Sequence, residues 1–351
     1  DSAIYEGVYN IIDLSQRYAN ERIALSREPE WIEDMPPSVR TRVRTDFAIQ
    51  YEDAFMIVNR HPHSGLSYMV REGGLTEDVF HTFRLARLQY IKQLGFLNAP
   101  AYNDYVSLRQ SLSDHTRWLH SLDVAAIGTV MAYNLGLDGE RMNCVRTLCL
   151  THDALTPAGG DSVKDVDLDG LDEDKNYPWL LDNIAFAEFL QRYGVDRDSL
   201  ELGIQNKGLY GEILDIADKL AYVGRDLGKC MHHLEAGADH NQFGLRTLMT
   251  LVKRYPYVCG VWDSVSQHQG RIVFDDLHRL VAFLKVRLLL FRELYYHPSA
   301  RFGEFLMSRI FVKILYRSGE LTRDMLFEMT DGDLLRMLDE RFGTGLALDT
   351  C

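Results

Sequence analysis

Cysteine and long apolar runs are both scarce in this chain of 351 residues. The cysteines number 5, an odd count, and no two of them form a CxxC pair, so a disulfide framework is not indicated. Scattered single cysteines are typical of free thiols in a reducing compartment, and we therefore expect a cytoplasmic protein. No uninterrupted apolar run approaches the roughly 20 residues of a membrane span, so we expect no membrane partner.

Positive charge is also in short supply. Lysine and arginine together number 38 against 51 aspartates and glutamates, which gives a net charge of −13. Stable nucleic-acid binding depends on clustered basic residues that meet phosphates, so we expect no stable nucleic-acid complex. The net charge does not exclude a small anionic ligand that binds in a local basic pocket. The composition is otherwise ordinary for a globular protein that buries its own core.

Helical periodicity dominates what is present, and sustained alternation of the strand type is absent, so we predict an all-α fold with few strands. Helices are predicted over 79–97, 119–137, 141–155, 183–195, 211–234 and 274–297, with three more after residue 300. Thr322 and Asp331 are the expected N-caps of the last two. Residues 1–80 are interpreted as an N-terminal helical extension, and 81–351 as the core with a C-terminal helical region.

The most irregular segment spans residues 156–178 and reads TPAGGDSVKDVDLDGLDEDKNYP. It is acidic and rich in turn formers, so we predict a surface loop between two helices. Within it, DVDLDG at 165–170 resembles the start of an EF-hand loop, although Asn176 stands where such a loop carries glutamate. A solvated acidic loop and a calcium site are therefore both open.

Four polar side chains interrupt the apolar helices. His152 and Asp153 lie near the end of one helix, and His120 lies on the preceding helix, which a short connection joins to it. Antiparallel packing would bring these groups together. Asp218 lies in mid-helix, where an unpaired carboxylate is costly. Two imidazoles and two carboxylates suit one divalent ion of Mn, Fe, Co, Ni, Zn or Mg, with positions open for water and a phosphate oxygen.

Plainer interpretations stand beside the metal site. His120 is compatible with a core histidine that has hydrogen-bond partners, and Asp218 with an ion pair to Lys219 or Arg225. Arg117 is compatible with an ion pair to Asp114 or Asp123. We read His115, five residues before His120, as a supporting or loop histidine.

The order His, His-Asp, Asp resembles that of the HD-domain metal-dependent phosphohydrolases. Five segments over residues 81 to 340 follow the order found in the deoxynucleoside triphosphate triphosphohydrolases of that group, which include dGTPase-like and SAM-and-HD-domain proteins. These segments are IKQLGF, HTRWLHSL, LCLTHD, ADKLAYVGRD and YYHPSARFGEFLMSR. The resemblance implies an all-α HD-domain helical bundle, one divalent metal ion, hydrolysis of a nucleotide or related phosphoester, and assembly into homo-oligomers.

The resemblance also implies roles for individual side chains. The matching metal ligands are His120, His152, Asp153 and Asp218. Asp153 and Arg117 are the expected catalytic residues, and Arg117 matches an arginine that contacts substrate phosphate. The expected substrate-binding residues are Arg117, Lys219, Tyr222, Asp226, Gln93 and His297. Asp218, Tyr222 and Asp226 are spaced four apart, which places them on one helix face.

The chain departs from the family at two histidine positions. The family reads HDxGHxPFSH where this chain reads HDALTPAGGD, so Thr156 takes the place of a second, catalytic histidine. Leu181 and Asp182 stand where the family carries HE at the start of the next helix. Such groups assist proton transfer, which is worth about 10²–10⁴-fold in rate. An HD-like sensor or scaffold that binds nucleotide without turnover is therefore the alternative function.

A third class, the HD-type diiron oxygenases, needs further histidines between the His-Asp pair and the last aspartate. Residues 154–217 contain none. The sequence therefore argues against a diiron centre.

Overall fold

The computed structural model describes residues 55–61, 65–70, 74–82, 85–98, 115–235, 243–255 and 258–343. These residues are predominantly α-helical, as predicted, and carry two short antiparallel hairpins. The helices are α1 (Leu75–Thr82), α2 (Arg117–Asn134), α3 (Gly139–Thr151), α4 (Asp161–Lys164), α5 (Glu173–Leu181), α6 (Ile184–Tyr193), α7 (Arg197–Ile204), α8 (Gly208–Glu235), α9 (Phe243–Arg254), α10 (Leu277–Leu290), α11 (Pro298–Glu304), α12 (Lys313–Ser318), α13 (Arg323–Glu328) and α14 (Asp331–Phe342). The strands are β1 (Phe55–His61), β2 (Gly65–Val70), β3 (Val265–His268) and β4 (Arg271–Phe274).

A β hairpin stands where a helical extension was predicted. Strands β1 and β2 pair antiparallel with Phe55 opposite Val70 and His61 opposite Gly65. Their sequences, FMIVNRH and GLSYMV, are short and rich in β-branched and aromatic residues, and turn formers separate them, which is a strand signal. Of the remainder of the predicted extension, residues 1–54, 62–64 and 71–73 lie outside the described part of the chain, and helix α1 begins at Leu75.

The predicted helix over 79–97 is also wrong as a single element. Helix α1 ends at Thr82, and 3₁₀ turns follow at Leu85–Tyr90 and Gly95–Asn98. Leu85, Leu88 and Ile91 are buried at a spacing of three residues. That spacing suits the 3₁₀ helix, which has three residues per turn, better than the α-helix.

Three helices form the framework that carries the site. Helix α2 packs along α3, and α8 packs against both. Every residue from 120 to 132 of α2 is buried. Gly128 lets α2 and α3 approach closely, because a Cβ atom there would stand 2.7 Å from the sulfur of Cys149. The cysteines that the structure describes, Cys144, Cys149, Cys230 and Cys259, are all buried and free of disulfides.

The segment predicted as a surface loop is folded and forms part of the interior. Helix α4 and most of α5 lie within residues 156–178, and Val163, Leu171 and Tyr177 are buried there. The hydroxyl groups of Tyr177 and Thr151 lie 2.6 Å apart and tie α5 to α3. The prediction failed because a few well-spaced apolar residues anchor a segment that is acidic on average.

The EF-hand-like stretch does not gather its carboxylates. Asp165 pairs with Arg309, and Asp169 pairs with Lys175, each at 2.5 Å. Asp167 instead accepts hydrogen bonds from the Tyr316 hydroxyl at 2.8 Å and from the backbone amide of Gly170 at 2.9 Å. Because each carboxylate turns to a different partner, this stretch favours the solvated-loop alternative over a calcium site.

The C-terminal helices confirm one predicted cap and correct the other. Thr322 caps α13, as predicted, but Thr330 rather than Asp331 caps α14, in a capping box with Asp333. Asp331 is buried and accepts hydrogen bonds of 2.7 Å from the backbone amides of Lys92 and Gly159. It therefore fastens α14 to two loops beside the candidate site. None of the described helices has both the length and the apolar character needed to cross a bilayer.

Candidate metal centre

Three side chains from three helices converge on one point. His120 comes from α2, His152 follows the last residue of α3, and Asp218 comes from the middle of α8. Their ligand atoms all lie within 4.8 Å of one another, which is a spacing at which they could hold one metal ion. His120 Nε2 lies 2.9 Å from Asp218 Oδ1, and His152 Nε2 lies 3.9 Å from the same oxygen. The two rings meet edge to face with their centroids 5.4 Å apart.

The tautomer of His152 leaves one nitrogen available. Its Nδ1 lies 2.8 Å from the carbonyl oxygen of Cys149, and since a carbonyl only accepts, Nδ1 carries the proton. In the neutral ring Nε2 is then a bare lone pair, and it is buried with no hydrogen-bond partner in the described part of the chain. This backbone-anchored arrangement is the one that metal-binding histidines adopt.

Asp153, the fourth predicted ligand, lies beside the cluster and is held by Arg117. Its Oδ2 lies 3.6 Å from His152 Nε2 and 3.9 Å from His120 Nε2. Both carboxylate oxygens accept hydrogen bonds from Arg117 NH1 at 3.1 Å. Burial opposes ionisation of Asp153, but Arg117 and the two imidazoles outweigh it and hold its pKa well below the usual range. Asp153 is therefore a fixed anion at the edge of the cluster.

Both terminal nitrogens of Arg117 are engaged with protein partners, whereas its Nε is buried with no hydrogen-bond partner among the described residues. Besides binding Asp153, Arg117 donates to Asp161 Oδ2 at 2.5 Å, and its side chain is buried. The alternative pairing with Asp123 is wrong, since Asp123 binds Arg225 at 2.5 and 2.7 Å. Arg117 lines the cleft described next, but in this structure its guanidinium positions carboxylates, and a phosphate would have to compete with them.

Two members of the cluster, His152 and Asp218, line a cleft of about 250 Å³, and His120 is not among its lining residues. Among the described residues that line this cleft, Arg117 is the one side chain with a permanent positive charge. The lining carboxylates are Asp153, Asp161, Glu173, Asp174, Asp215 and Asp218. The cleft is thus strongly negative, which favours the binding of cations.

Part of the cleft lining, Asp161, Glu173 and Asp174, comes from the segment that was predicted as a loop. Lys164 lies between two carboxylates there, at 2.6 Å from Asp161 Oδ1 and in contact with Glu173 Oε1. Although desolvation opposes it, Arg117 and Lys164 lower the pKa of Asp161 to about 2. Burial raises the pKa of Glu173 to about 7, despite the Lys164 ammonium. Sequence reasoning missed these residues, although Asp172 followed by an acidic turn is an N-terminal helix signal.

The predicted substrate residues of α8 have separate surroundings. Lys219 pairs with Asp215 and is absent from the lining of the cleft. Tyr222 lines the cleft, and its hydroxyl accepts a hydrogen bond of 2.7 Å from Arg287 Nε. Asp226 has no exposed surface and accepts a hydrogen bond from the Tyr295 hydroxyl. One of the three predicted residues therefore reaches the cleft, and Asp226 is a core residue.

Of the remaining predicted substrate-binding residues, one lines the cleft and one does not. Gln93 lines the cleft, and its Oε1 is buried with no hydrogen-bond partner in the described part of the chain. His297 lies at the start of α11 and is not among the lining residues. Thr156 is buried and donates to Asp153 Oδ1 at 3.3 Å, so it supports the anion and offers no titratable group. Leu181 is core at the end of α5, whereas Glu173 at the start of that helix lines the cleft.

Comparisons with known proteins give a fold and nothing further. No protein-family model and no curated protein matches the chain. A crystal structure of a hypothetical protein from Aquifex aeolicus is similar, with a TM-score of 0.58 and 19% sequence identity over 82% of this chain and 73% of that chain. At this identity the likeness shows a shared architecture, which agrees with the helical fold, and carries no information on activity.

Proposed function

We propose that this chain is a metal-dependent phosphohydrolase of the HD type that acts on a nucleotide or a related phosphoester. The observation that supports this most is the convergence of His120, His152 and Asp218 beside a cleft that the last two of them line. Around one divalent ion with bonds near 2.1 Å, neighbouring donor atoms stand about 3–3.5 Å apart. The separations of 2.9 and 3.9 Å to Asp218 lie near that range.

The chemistry of the donors also fits such an ion. His152 presents a buried lone pair, and Asp218 is ionised because His120 lowers its pKa against the effect of burial. Nitrogen and carboxylate ligands of this kind suit Mn, Fe, Co, Ni, Zn or Mg. Bound there, a divalent ion would supply positive charge against phosphate oxygens.

The chain's own residues would do the rest of the work. Arg117 keeps Asp153 ionised and oriented beside the two imidazoles, and Tyr222 and Gln93 offer polar groups to the uncharged part of a substrate. Water would attack phosphorus, and the bond from phosphorus to the leaving oxygen would break. Roles for Lys219, Asp226 and His297 at the phosphate or sugar are not supported by their positions.

The negative charge of the cleft limits the class of substrate that can bind there. Arg117 already binds two carboxylates, so the several negative charges of a triphosphate would meet repulsion that one metal ion offsets only in part. A phosphomonoester or phosphodiester fits this charge balance better. A deoxynucleoside triphosphate, the substrate class that the sequence resemblance implies, would have to enter with a divalent cation of its own.

The test begins with metal content. Purified protein is loaded separately with each candidate ion, the bound metal is quantified, and the products from dNTPs, NTPs, nucleoside monophosphates and phosphodiesters are separated by chromatography. We expect hydrolysis of at least one of these substrates with at least one metal, and loss of that hydrolysis together with metal binding in His152→Ala. His278→Ala is the matched control, because His278 is exposed on α10 and away from the cleft.

The alternative function, a nucleotide sensor or scaffold, is supported by Thr156, which stands in the place of a catalytic histidine and hydrogen-bonds Asp153 instead. It predicts that nucleotides bind to the metal-loaded protein without turnover under every metal tested. Binding measured by calorimetry in the same samples separates the two functions. Failure to bind any of the candidate ions would contradict both.

A further inference from the structure

The proposed hydrolysis requires a proton donor for the leaving group. When the bond from phosphorus to the leaving oxygen breaks, that oxygen needs a proton. Thr156 holds no ionisable proton, Asp153 is a fixed anion under Arg117, and Leu181 is apolar core. The donor must therefore come from another part of the cleft.

Glu173 has the geometry for this role. It is the first residue of α5, it lines the same cleft as His152 and Asp218, and it is 8% exposed. Its Oε1 contacts the Lys164 ammonium, whereas its Oε2 is buried with no hydrogen-bond partner in the described part of the chain. A buried carboxyl oxygen without a partner is destabilising, and a ligand that forms a hydrogen bond with it would remove that cost.

We propose that Glu173 is the proton donor to the leaving group, with Lys164 fixing its orientation. The inference rests on the proposed hydrolase function and deepens it. In the reaction, water oxygen forms the new bond to phosphorus and the bond to the leaving oxygen breaks. The proton on Glu173 Oε2 passes to that leaving oxygen, and a proton released by the attacking water restores the carboxyl group, so the net reaction consumes one water.

The charges around Glu173 are consistent with a carboxyl that holds its proton near neutral pH. Burial is the main cause, and the anions Asp161 and Asp153 add to it. Lys164 and Arg117 oppose it, and the balance leaves the pKa at about 7. A donor is most effective when its pKa lies near the working pH. Because the acid form acts, activity should fall as pH rises through the pKa of Glu173.

The experiment uses the metal-loaded full chain and the best substrate from the panel above. Glu173→Gln removes the proton but keeps the shape, and we expect kcat to fall about 100-fold or more, with the alkaline limb of the pH profile lost. Metal content and melting temperature should stay at wild-type values. Asp182→Asn is the control, because Asp182 is an exposed carboxylate at the far end of α5 that pairs with Arg197.

A second measurement uses the wild-type protein and so does not depend on whether the Glu173→Gln variant folds. Infrared spectra of the wild-type protein should show the carbonyl band of a protonated carboxyl group that disappears over the same pH range as the alkaline limb of activity. If wild-type protein turns over substrate while Glu173→Gln keeps its rate, or while the band and the limb titrate apart, the proton-donor role is overturned and the hydrolase function stands. If no substrate is hydrolysed under any metal, the hydrolase function fails, and the donor role fails with it.

Discussion

The two halves of helix α8 place similar residues in opposite environments. Asp218 and Asp226 lie eight residues apart on one face, yet the Asp218 side chain is 36% exposed whereas that of Asp226 is fully buried. Asp218 meets two imidazoles at the cleft, and Asp226 meets the Tyr295 hydroxyl and, at 3.8 Å, His115 Nδ1. Helical spacing puts both carboxylates on one face, but the neighbouring helices decide that one serves a site and the other serves the core.

The largest expected effect is on metal binding at the first of these positions. Asp218→Asn replaces a charged ligand with a neutral amide. Mutation of a residue that only hydrogen-bonds a metal ligand lowers metal affinity about 10–100-fold, so we expect loss of a ligand to lower it about 100-fold or more. The melting temperature of the metal-free protein should change little, because the side chain is partly exposed. Metal titration followed by calorimetry and thermal unfolding measures both, and unchanged affinity would contradict the candidate centre.

Asp226→Asn should give the reverse result. A buried carboxylate that accepts from a hydroxyl contributes about 1.5–3 kcal/mol, so we expect the free energy of unfolding to fall by about 2 kcal/mol while metal affinity stays the same. Urea denaturation and the metal titration described above measure the two quantities. If the variant is as stable as the wild type but binds metal or substrate less tightly, Asp226 belongs to the binding site and its assignment to the core is wrong.

Tyr222 stands between the two carboxylates and should show an intermediate effect. Tyr222→Phe removes the hydroxyl that accepts from Arg287, and we expect a loss of about 0.5–1.5 kcal/mol in the free energy of unfolding, with metal affinity unchanged. Steady-state kinetics would sharpen the result, since Tyr222 lines the cleft. A rise in KM with unchanged kcat would support contact with substrate, and unaltered kinetics would limit Tyr222 to a structural role.

The smallest effect is expected at Lys219. Its partner Asp215 lies one turn earlier on the same helix, and the pair is partly exposed, so Lys219→Ala should change the free energy of unfolding by less than about 0.5 kcal/mol. Metal affinity and KM should both stay at wild-type values. An increase in KM of about tenfold would instead restore the phosphate-binding role that the family resemblance implies.

The sequence predicted that Asp218 lies beside the two histidines, but it did not predict the surroundings of Asp226. Apolar periodicity was sufficient to predict the helices that carry His120, His152 and Asp218, and the short connection between α2 and α3 was sufficient to predict that their histidines meet. Asp226 was predicted at the substrate because spacing reports a helix face but not the groups that pack against it. Tyr295 and His115, which surround Asp226, come from elements far apart in the chain.

The acidic segment shows the limit of composition. Residues 156–178 are polar on average, and that average concealed Val163, Leu171 and Tyr177, which bury the segment against the bundle. Because the loop prediction placed it in solvent, Asp161, Lys164 and Glu173 were not considered as parts of a site. The pKa of Glu173 rises mainly because neighbouring elements exclude water from it, and exclusion of water is a property of the packed molecule.

The amino-acid sequence by itself determined the helical class, the order of the ligand-type residues and the shortage of positive charge, since periodicity and charge are local or additive properties. Only the tertiary structure decided that Arg117 binds Asp153 and Asp161, that Asp226 is buried, and that Glu173 lines the same cleft as His152 and Asp218. These outcomes depend on which distant side chains share a region of low dielectric, and there pairing and desolvation set the state of every charge.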